Sequence, residues 1–282
     1  MENRILLPTD FSKNSWNAIQ YAIKLFEEKK CTFYILHAHS KETHGLDSLT
    51  LLDPDEAFNK LSELRARQGL GDILIQLSRL KNNENHEFHV VSESTLLLDA
   101  IKTLNEKIHF KMIVMGAKGI TNKTGESYGR QTLEILKQIR KCPILVVPSK
   151  VDFNHPKEIV LTTNFNTKIK SSEIKYLVEI AKLSDACIQV LSLTQPNKLS
   201  FSQRRNKVFV RSQLKDVEYK FNSLRNVKMA IALSCFVEIR ASNMISYVDK
   251  KPSFWERLGF GKLSLSKLGY YANVPVLALH AK

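Results

Sequence analysis

Short apolar runs of strand length alternate along the chain with longer stretches whose apolar residues recur at helical spacing. That is the pattern of a parallel sheet with helices on its faces. In the first half the runs predict strands near residues 3–8, 32–38, 87–92, 111–116 and 143–148. After the first of them, Trp16, Ile19, Tyr21, Ala22, Ile23 and Phe26 supply a broad apolar helical face, with Asp10 and Ser12 as candidate N-caps. A second helical region covers about 55–81, with Gly69 and Gly71 as candidate breaks, and further helices follow near 95–107 and 129–140.

The pattern then recurs. Arg4–Ser12 lines up with Glu158–Asn166 at an offset of 154, Cys31–Ala38 with Ala186–Leu193 at 155, and Cys142–Pro148 with Val274–His280 at 132. Self-similarity of this kind predicts two domains, residues 1–149 and 156–282, joined by the polar stretch Ser149–Pro156. In the second copy the strands are expected near 157–162, 187–193, 227–234, 243–248 and 274–280. Too little chain separates Val227–Ala232 from Met244–Val248 for a full crossover helix, so the residues lost from this copy are assigned there.

Composition narrows the class. Hydrophobic residues at 43% and charged ones at 25% exclude disorder, collagen and low-complexity repeats. No run approaches the roughly 20 uncharged apolar residues of a membrane span. The opening Met1–Pro8 lacks the form of a signal peptide, and a soluble cytoplasmic protein without a membrane partner is expected. Cys31, Cys142, Cys187 and Cys235 stand too far apart for a zinc site and are read as buried small hydrophobes. The net charge of +14 is uneven: residues 1–148 hold 20 Lys+Arg against 18 Asp+Glu, and residues 149–282 hold 22 against 10. A polyanion therefore meets the second half first.

The chemistry concentrates after the fourth strand. Met115-Gly116-Ala117-Lys118-Gly119 is followed nine residues later by Gly129-Arg130-Gln131-Thr132, which opens a helix. Glycines there permit positive φ and close backbone approach, and a helix N-terminus offers unpaired N–H groups to phosphate. In an open parallel sheet, ligands sit at the carboxyl ends of strands, where Asp10, Ala38 and Gly116 converge. Other motifs are missing: there is no Walker sequence, and Gly259-Phe260-Gly261 has Ser264 where a dinucleotide fingerprint needs its third glycine. His37 reads as a strand-end histidine, and His39, His44, His86 and His89 have no ligand spacing. Arg204, Arg205, Lys207, Arg211, Lys215 and Lys220 read as the solvated face of a helix, with Phe201, Phe209, Tyr219 and Phe221 explained by packing as readily as by base stacking.

On Leu6-Leu7-Pro8-Thr9-Asp10-Phe11-Ser12, Leu36-His37-Ala38, the glycines at 116, 119 and 129, and Cys142–Pro148, the chain resembles the universal stress protein family, in particular its tandem two-domain members. The resemblance implies two flavodoxin-like or Rossmann-like α/β domains with five-stranded parallel sheets, the second degenerate. It implies an ATP site in the first, with Mg²⁺ bound through the phosphates. Pro8, Thr9 and Asp10 would flank adenine and ribose, Ala38 would border the base, and Met115, Gly116, Gly119 and Gly129 would line ribose and phosphates. Where the family pattern has Ser or Thr after the last glycine, this chain has Arg130, with a second departure at Gln131. The charge of Arg130 would let it stand in as a phosphate ligand, and Thr132 would offer a hydroxyl one step further on, but neither substitution follows from the sequence.

In the second copy Thr162 and Asn164 replace Pro8 and Asp10, and Asp249-Lys250-Lys251-Pro252 is aligned with Gly116–Gly119. The following segment with Trp255 is expected to fill the space a ligand needs, so no nucleotide is expected there. The resemblance further implies that strands 143–148 and 274–280 pair, making an intramolecular pseudo-dimer, with homodimerisation also open. Two readings of function stand at this point. One is an ATP-binding stress-response sensor or adaptor, not evidently an enzyme, with any hydrolysis slow and incidental. The other is a nucleotide-free module whose basic second domain docks an acidic protein; nucleic acid is the least favoured partner.

Overall fold

The structure, a computed structural model, describes residues 3–39, 54–119, 127–166, 169, 171–194, 196–225, 227–249 and 270–280. The first half runs β1 (Asn3–Pro8), α1 (Lys13–Leu25), β2 (Cys31–Ala38), α2 (Pro54–Ser78), β3 (His86–Glu93), α3 (Leu97–Ile108), β4 (Met112–Gly116), α4 (Arg130–Gln138) and β5 (Ile144–Val147). The second runs β6 (Glu158–Thr162), α5 (Ser171–Leu183), β7 (Cys187–Ser192), α6 (Phe201–Gln213), β8 (Tyr219–Ser223), α7 (Met229–Arg240), β9 (Met244–Asp249) and β10 (Val276–His280).

All ten strands join one sheet in the order β3-β2-β1-β4-β5-β10-β9-β6-β7-β8. Each half is doubly wound and parallel. The halves meet where β10 runs antiparallel to β5, with Val276, Leu277 and Ala278 opposite Val146, Leu145 and Ile144. All six of these side chains are buried. Period-two alternation divides the strands between two cores. Ile5, Leu7, Leu145 and Leu277 share one face with α1, α2, α5 and α6, while Leu6, Ile144, Val146 and Val276 share the other with α3, α4 and α7. Both cores cross the seam, so the halves pack as one three-layered body.

The same turns recur in both halves. Phe11 and Phe165 hold left-handed φ of 62° and 57°, and each donates its N–H to a threonine hydroxyl, Thr9 or Thr163, at 3.0 Å. His109 and Ala241, at the ends of α3 and α7, are left-handed as well.

Three expectations are corrected. The run at 227–234 is the opening of helix α7; the third strand of the second half is β8, so a full crossover helix is present. The missing residues lie earlier, because the connection between second and third strands is 39–85 in the first half and 193–218 in the second. Helix α2 passes through Gly69 and Gly71 without a break. At Gly69 a Cβ would stand 2.5 Å from the Phe11 ring, so the missing side chain makes room for that ring. Cys31 and Cys142 are buried as expected, but Cys187 is half-buried and Cys235 exposed.

Leu277 is fully buried against Leu145 at the seam. Leu277→Ala is expected to cost about 2–5 kcal/mol, read as a lower denaturant midpoint. An unchanged midpoint would show that packing across the seam contributes nothing.

Candidate functional site

The strand order reverses between β1 and β4, and this is where an open α/β sheet leaves a crevice at its carboxyl ends. Beyond Pro8, the Thr9 N–H still reaches the Leu36 carbonyl at 2.8 Å, and the buried Thr9 hydroxyl lies 3.0 Å from the Ser15 hydroxyl. Asp10 accepts the Ser12 N–H at 3.1 Å through one carboxylate oxygen. Of the two candidate caps, Ser12 is the N-cap of α1, accepting the Ser15 N–H. Asp10 thus braces the turn and turns its second oxygen toward Gly119, where an added Cβ would stand 2.9 Å away.

The glycines act by closeness rather than by backbone handedness. None of Gly116, Gly119 and Gly129 takes up the left-handed backbone that the sequence reading allowed for. A Cβ on Gly116 would meet the Asn14 carbonyl oxygen at 3.2 Å, and one on Gly129 would meet the Lys118 Cα at 3.4 Å. The two glycine segments are strapped together. Gly129 N–H donates to the Ala117 carbonyl at 2.8 Å, Asn14 donates to the Lys118 carbonyl at 3.4 Å, and Ala117 N–H donates to Val147 at 2.9 Å.

Helix α4 then starts at Arg130 with Gly129 as N-cap and no side-chain cap. Its first turn therefore keeps N–H groups available for an anion. Arg130 and Gln131 are exposed at the lip. Thr132 is buried and donates its hydroxyl to the Gly116 carbonyl at 3.2 Å, so it does not stand in for the missing family hydroxyl. Pro8 and Met115 are buried, and Ala38, half-buried, ends β2 opposite Glu93. The crevice thus brings together the Asp10 turn, the Gly116–Gly119 turn and the α4 start, while Pro8 and Met115 lie beneath them.

Two aromatic contacts beside this crevice carry no signal in the sequence. The Phe11 ring stacks on the His37 ring with centroids 4.2 Å apart. His37 Nδ1 lies 2.9 Å from the Thr9 carbonyl and must be the protonated nitrogen, leaving Nε2 as an acceptor. Burial is the main cause that pulls His37 below the ordinary imidazole pKa, outweighing the Thr9 hydrogen bond. The second half also reaches this edge. Lys118 holds its ammonium 4.6 Å from the centroid of the Tyr270 ring, and Tyr270 meets the buried Tyr128 edge-on at 5.0 Å.

The corresponding turn of the second half is crossed by α6. Gln203 donates to the Asn164 carbonyl at 2.9 Å and Asn206 to the Phe165 carbonyl at 2.7 Å. Pairing of Ile5 with Met112 and of Ile159 with Met244 makes Val248 the counterpart of Gly116, one residue off the alignment drawn from sequence. Lys250, Lys251, Pro252 and Trp255 lie outside the described residues. Among the described residues no group of three or more His, Cys, Asp or Glu side chains could hold a metal. A cavity of about 730 Å³ lies at the opposite edge of the sheet, between the ends of α1 and α2 and Phe153. Its lining mixes Lys24 and Lys81 with Glu27, Glu28 and Glu84, and no catalytic arrangement converges on it.

A family model described as the universal stress protein family matches residues 1–148. A search of curated proteins finds no match. Among solved structures, the fold is similar to that of a universal stress protein from Archaeoglobus fulgidus, at 15% identity and a TM-score of 0.71, covering 99% of this chain and 98% of that one. It is also similar to a putative universal stress protein from Pseudomonas aeruginosa, at 11% identity and a TM-score of 0.54, covering 99% and 93%.

Gly116→Ala is expected to cost about 1–3 kcal/mol without any ligand, because the Asn14 backbone must yield. Gly71→Ala, which meets nothing within 4 Å on α2, should instead stabilise by up to about 1 kcal/mol. Denaturant midpoints of the two variants check the contrast. Because the folded-state pKa of His37 is lowered, the unfolded chain binds the extra proton. Stability should fall as pH drops below the ordinary imidazole value and level off below the folded pKa. The wild-type melting temperature should therefore decline between neutral and mildly acid pH more than that of His37→Gln.

Proposed function

Because the chain belongs to the universal stress protein family, we propose that it is a stress-response protein whose first half binds ATP and which acts as a sensor or adaptor in the cytoplasm. The observation that carries this reading is the meeting of three separate segments at the switch point. Gly119 lies against the Asp10 carboxylate, Gly129 is bonded to Ala117, and α4 opens beside them without a side-chain cap. In this reading Thr9, Asp10 and Ala38 border adenine and ribose, with Pro8 and Met115 backing them. Gly116, Gly119, Gly129 and the first N–H groups of α4 face the phosphates. Arg130 and Gln131 stand at the lip, where the guanidinium supplies a charge-assisted phosphate contact in place of the family's hydroxyl. Mg²⁺ is carried by the phosphates.

No nucleophile or general base is assigned, since His37 is already bonded to the Thr9 carbonyl, and hydrolysis is not the proposed activity. The second half, read as a domain from 156 to 282 beside one from 1 to 149, takes no nucleotide. Its role is to pair with the first as an intramolecular pseudo-dimer. One observation favours the alternative of a nucleotide-free module that docks an acidic protein: Thr132 is spent on Gly116, which leaves no hydroxyl at the α4 start to replace the family's.

Titration with Mg-ATP, together with assay of nucleotide released on denaturation, separates the two. The wild type should bind saturably. Arg130→Ala should weaken binding by about tenfold or more, the worth of a charged hydrogen bond. Gly119→Val, which displaces the Asp10 carboxylate, should abolish it. Absence of binding would favour the nucleotide-free module, and binding indifferent to Gly119→Val would place the nucleotide site elsewhere on the chain.

A further inference from the structure

Helix α6 carries an outward face that the fold and the nucleotide reading leave unexplained. A reciprocal capping box holds its start, Ser200 accepting the Gln203 N–H at 3.2 Å and Gln203 accepting the Ser200 N–H at 2.9 Å. Asn206 and Val210 bury its inner side. At about 100° per residue, Phe201, Arg204, Arg205, Val208, Arg211 and Ser212 fall within a sector of about 120° on the other side. Phe201 is 81% exposed and Val208 65%, and the three arginines are exposed around them, although Arg204 donates its Nε to the Leu199 carbonyl at 3.0 Å and Arg211 lies 5.6 Å from the centroid of the Phe221 ring. No acidic residue occurs from Phe201 to Lys215.

A solvated face does not call for this composition. Helix α2 is the crossover at the same place in the first half, and its exposed residues mix Glu63 and Asp72 with Lys60, Arg65 and Arg67. On α6 one sign of charge surrounds two protruding apolar side chains. The surrounding half is itself strongly basic, with 22 Lys+Arg against 10 Asp+Glu in residues 149–282.

We propose that the outward face of α6 docks on a membrane surface bearing anionic lipid, with Phe201 and Val208 entering between headgroups and Arg204, Arg205 and Arg211 pairing with their anionic groups. The stripe is convex, and a bilayer interface deforms around a convex helix without needing a preformed groove. Nucleic acid fits less well. Its phosphates would meet the apolar centre of the stripe, and Val208 has no flat face on which a base stacks. Association is peripheral, since none of the described helices is long and apolar enough to cross a membrane. It is independent of the nucleotide reading, which concerns the other half.

The test is cosedimentation of the full-length protein with vesicles of phosphatidylcholine alone and of equal parts phosphatidylcholine and phosphatidylglycerol. Melting temperatures confirm that each variant is folded, and no nucleotide is added. Binding is expected on the mixed vesicles only and to weaken with salt. Neutralising Arg204 or Arg205 to Gln should weaken it about fivefold each. Phe201→Ser and Val208→Ser should weaken it severalfold at unchanged net charge, which a purely electrostatic patch would not show. Equal sedimentation with phosphatidylcholine alone, no binding to either vesicle, or indifference to Phe201→Ser would overturn the proposal. Displacement from vesicles by a single-stranded DNA oligonucleotide that itself binds independently of Phe201 would assign the face to nucleic acid instead.

Discussion

The antiparallel pairing of β5 with β10 is the constraint from which the remaining geometry follows. Each half ends in a short strand, Ile144–Val147 or Val276–His280, apolar throughout except for the terminal His280, and left unpaired it would present an open hydrogen-bonding edge lined by buried-type side chains. Joining the two edges removes both at once and extends each core into the other half. The reversal of direction at the seam also means that the carboxyl ends of β4 and β9 point to opposite edges of the sheet. The chain entering β10 therefore arrives beside the carboxyl end of β5, which brings Tyr270 to Lys118 and Tyr128. The contact of the second half with the crevice of the first follows from how the strands pair.

How much of this was legible depended on burial. Strands with both faces covered, such as β1, β4 and β6, announce themselves as apolar runs, and the repeat between halves placed their partners. Helix α7 misleads for the same reason: Met229-Ala230-Ile231-Ala232-Leu233 is apolar on every side, so periodicity cannot tell it from a buried strand. Strand β8 is hidden by the opposite cause. It is the outermost strand, Tyr219-Lys220-Phe221-Asn222-Ser223, half-buried and polar at alternate positions, and it resembles a loop. Misreading these two neighbours moved the shortened connection from one crossover to the next.

The candidate site was legible in its glycine spacing and in the Asp10 turn, but not in what those residues do there. Sequence reasoning assigned the glycines to positive φ and to close approach of a ligand, whereas a Cβ at Gly116 or Gly119 would crowd the protein's own Asn14 carbonyl or Asp10 carboxylate. The difference is tertiary: nothing local to Gly116 reveals that Asn14 lies behind it. The stacking of Phe11 on His37 escaped for a related reason. The left-handed backbone at Phe11, fixed by the Thr9 hydroxyl, turns the ring onto His37, and a phenylalanine is a poor predictor of positive φ.

Loss of residues between β7 and β8 accounts for the unlike behaviour of the two halves. In the first half the long connection leads into α2, whose Gly69 yields space to the Phe11 ring. In the second the shorter connection leads into α6, which has Asn206 and Gln203 on its inner side, and both bond to the carbonyls of the turn at Asn164 and Phe165. Those bonds consume the backbone acceptors around which a crevice would form, and they hold α6 down by polar contacts in addition to apolar ones. With its inner face committed in this way, the helix needs little of its outer face for folding. The outer face is thus released to carry a composition, arginines around Phe201 and Val208, that stability alone does not select.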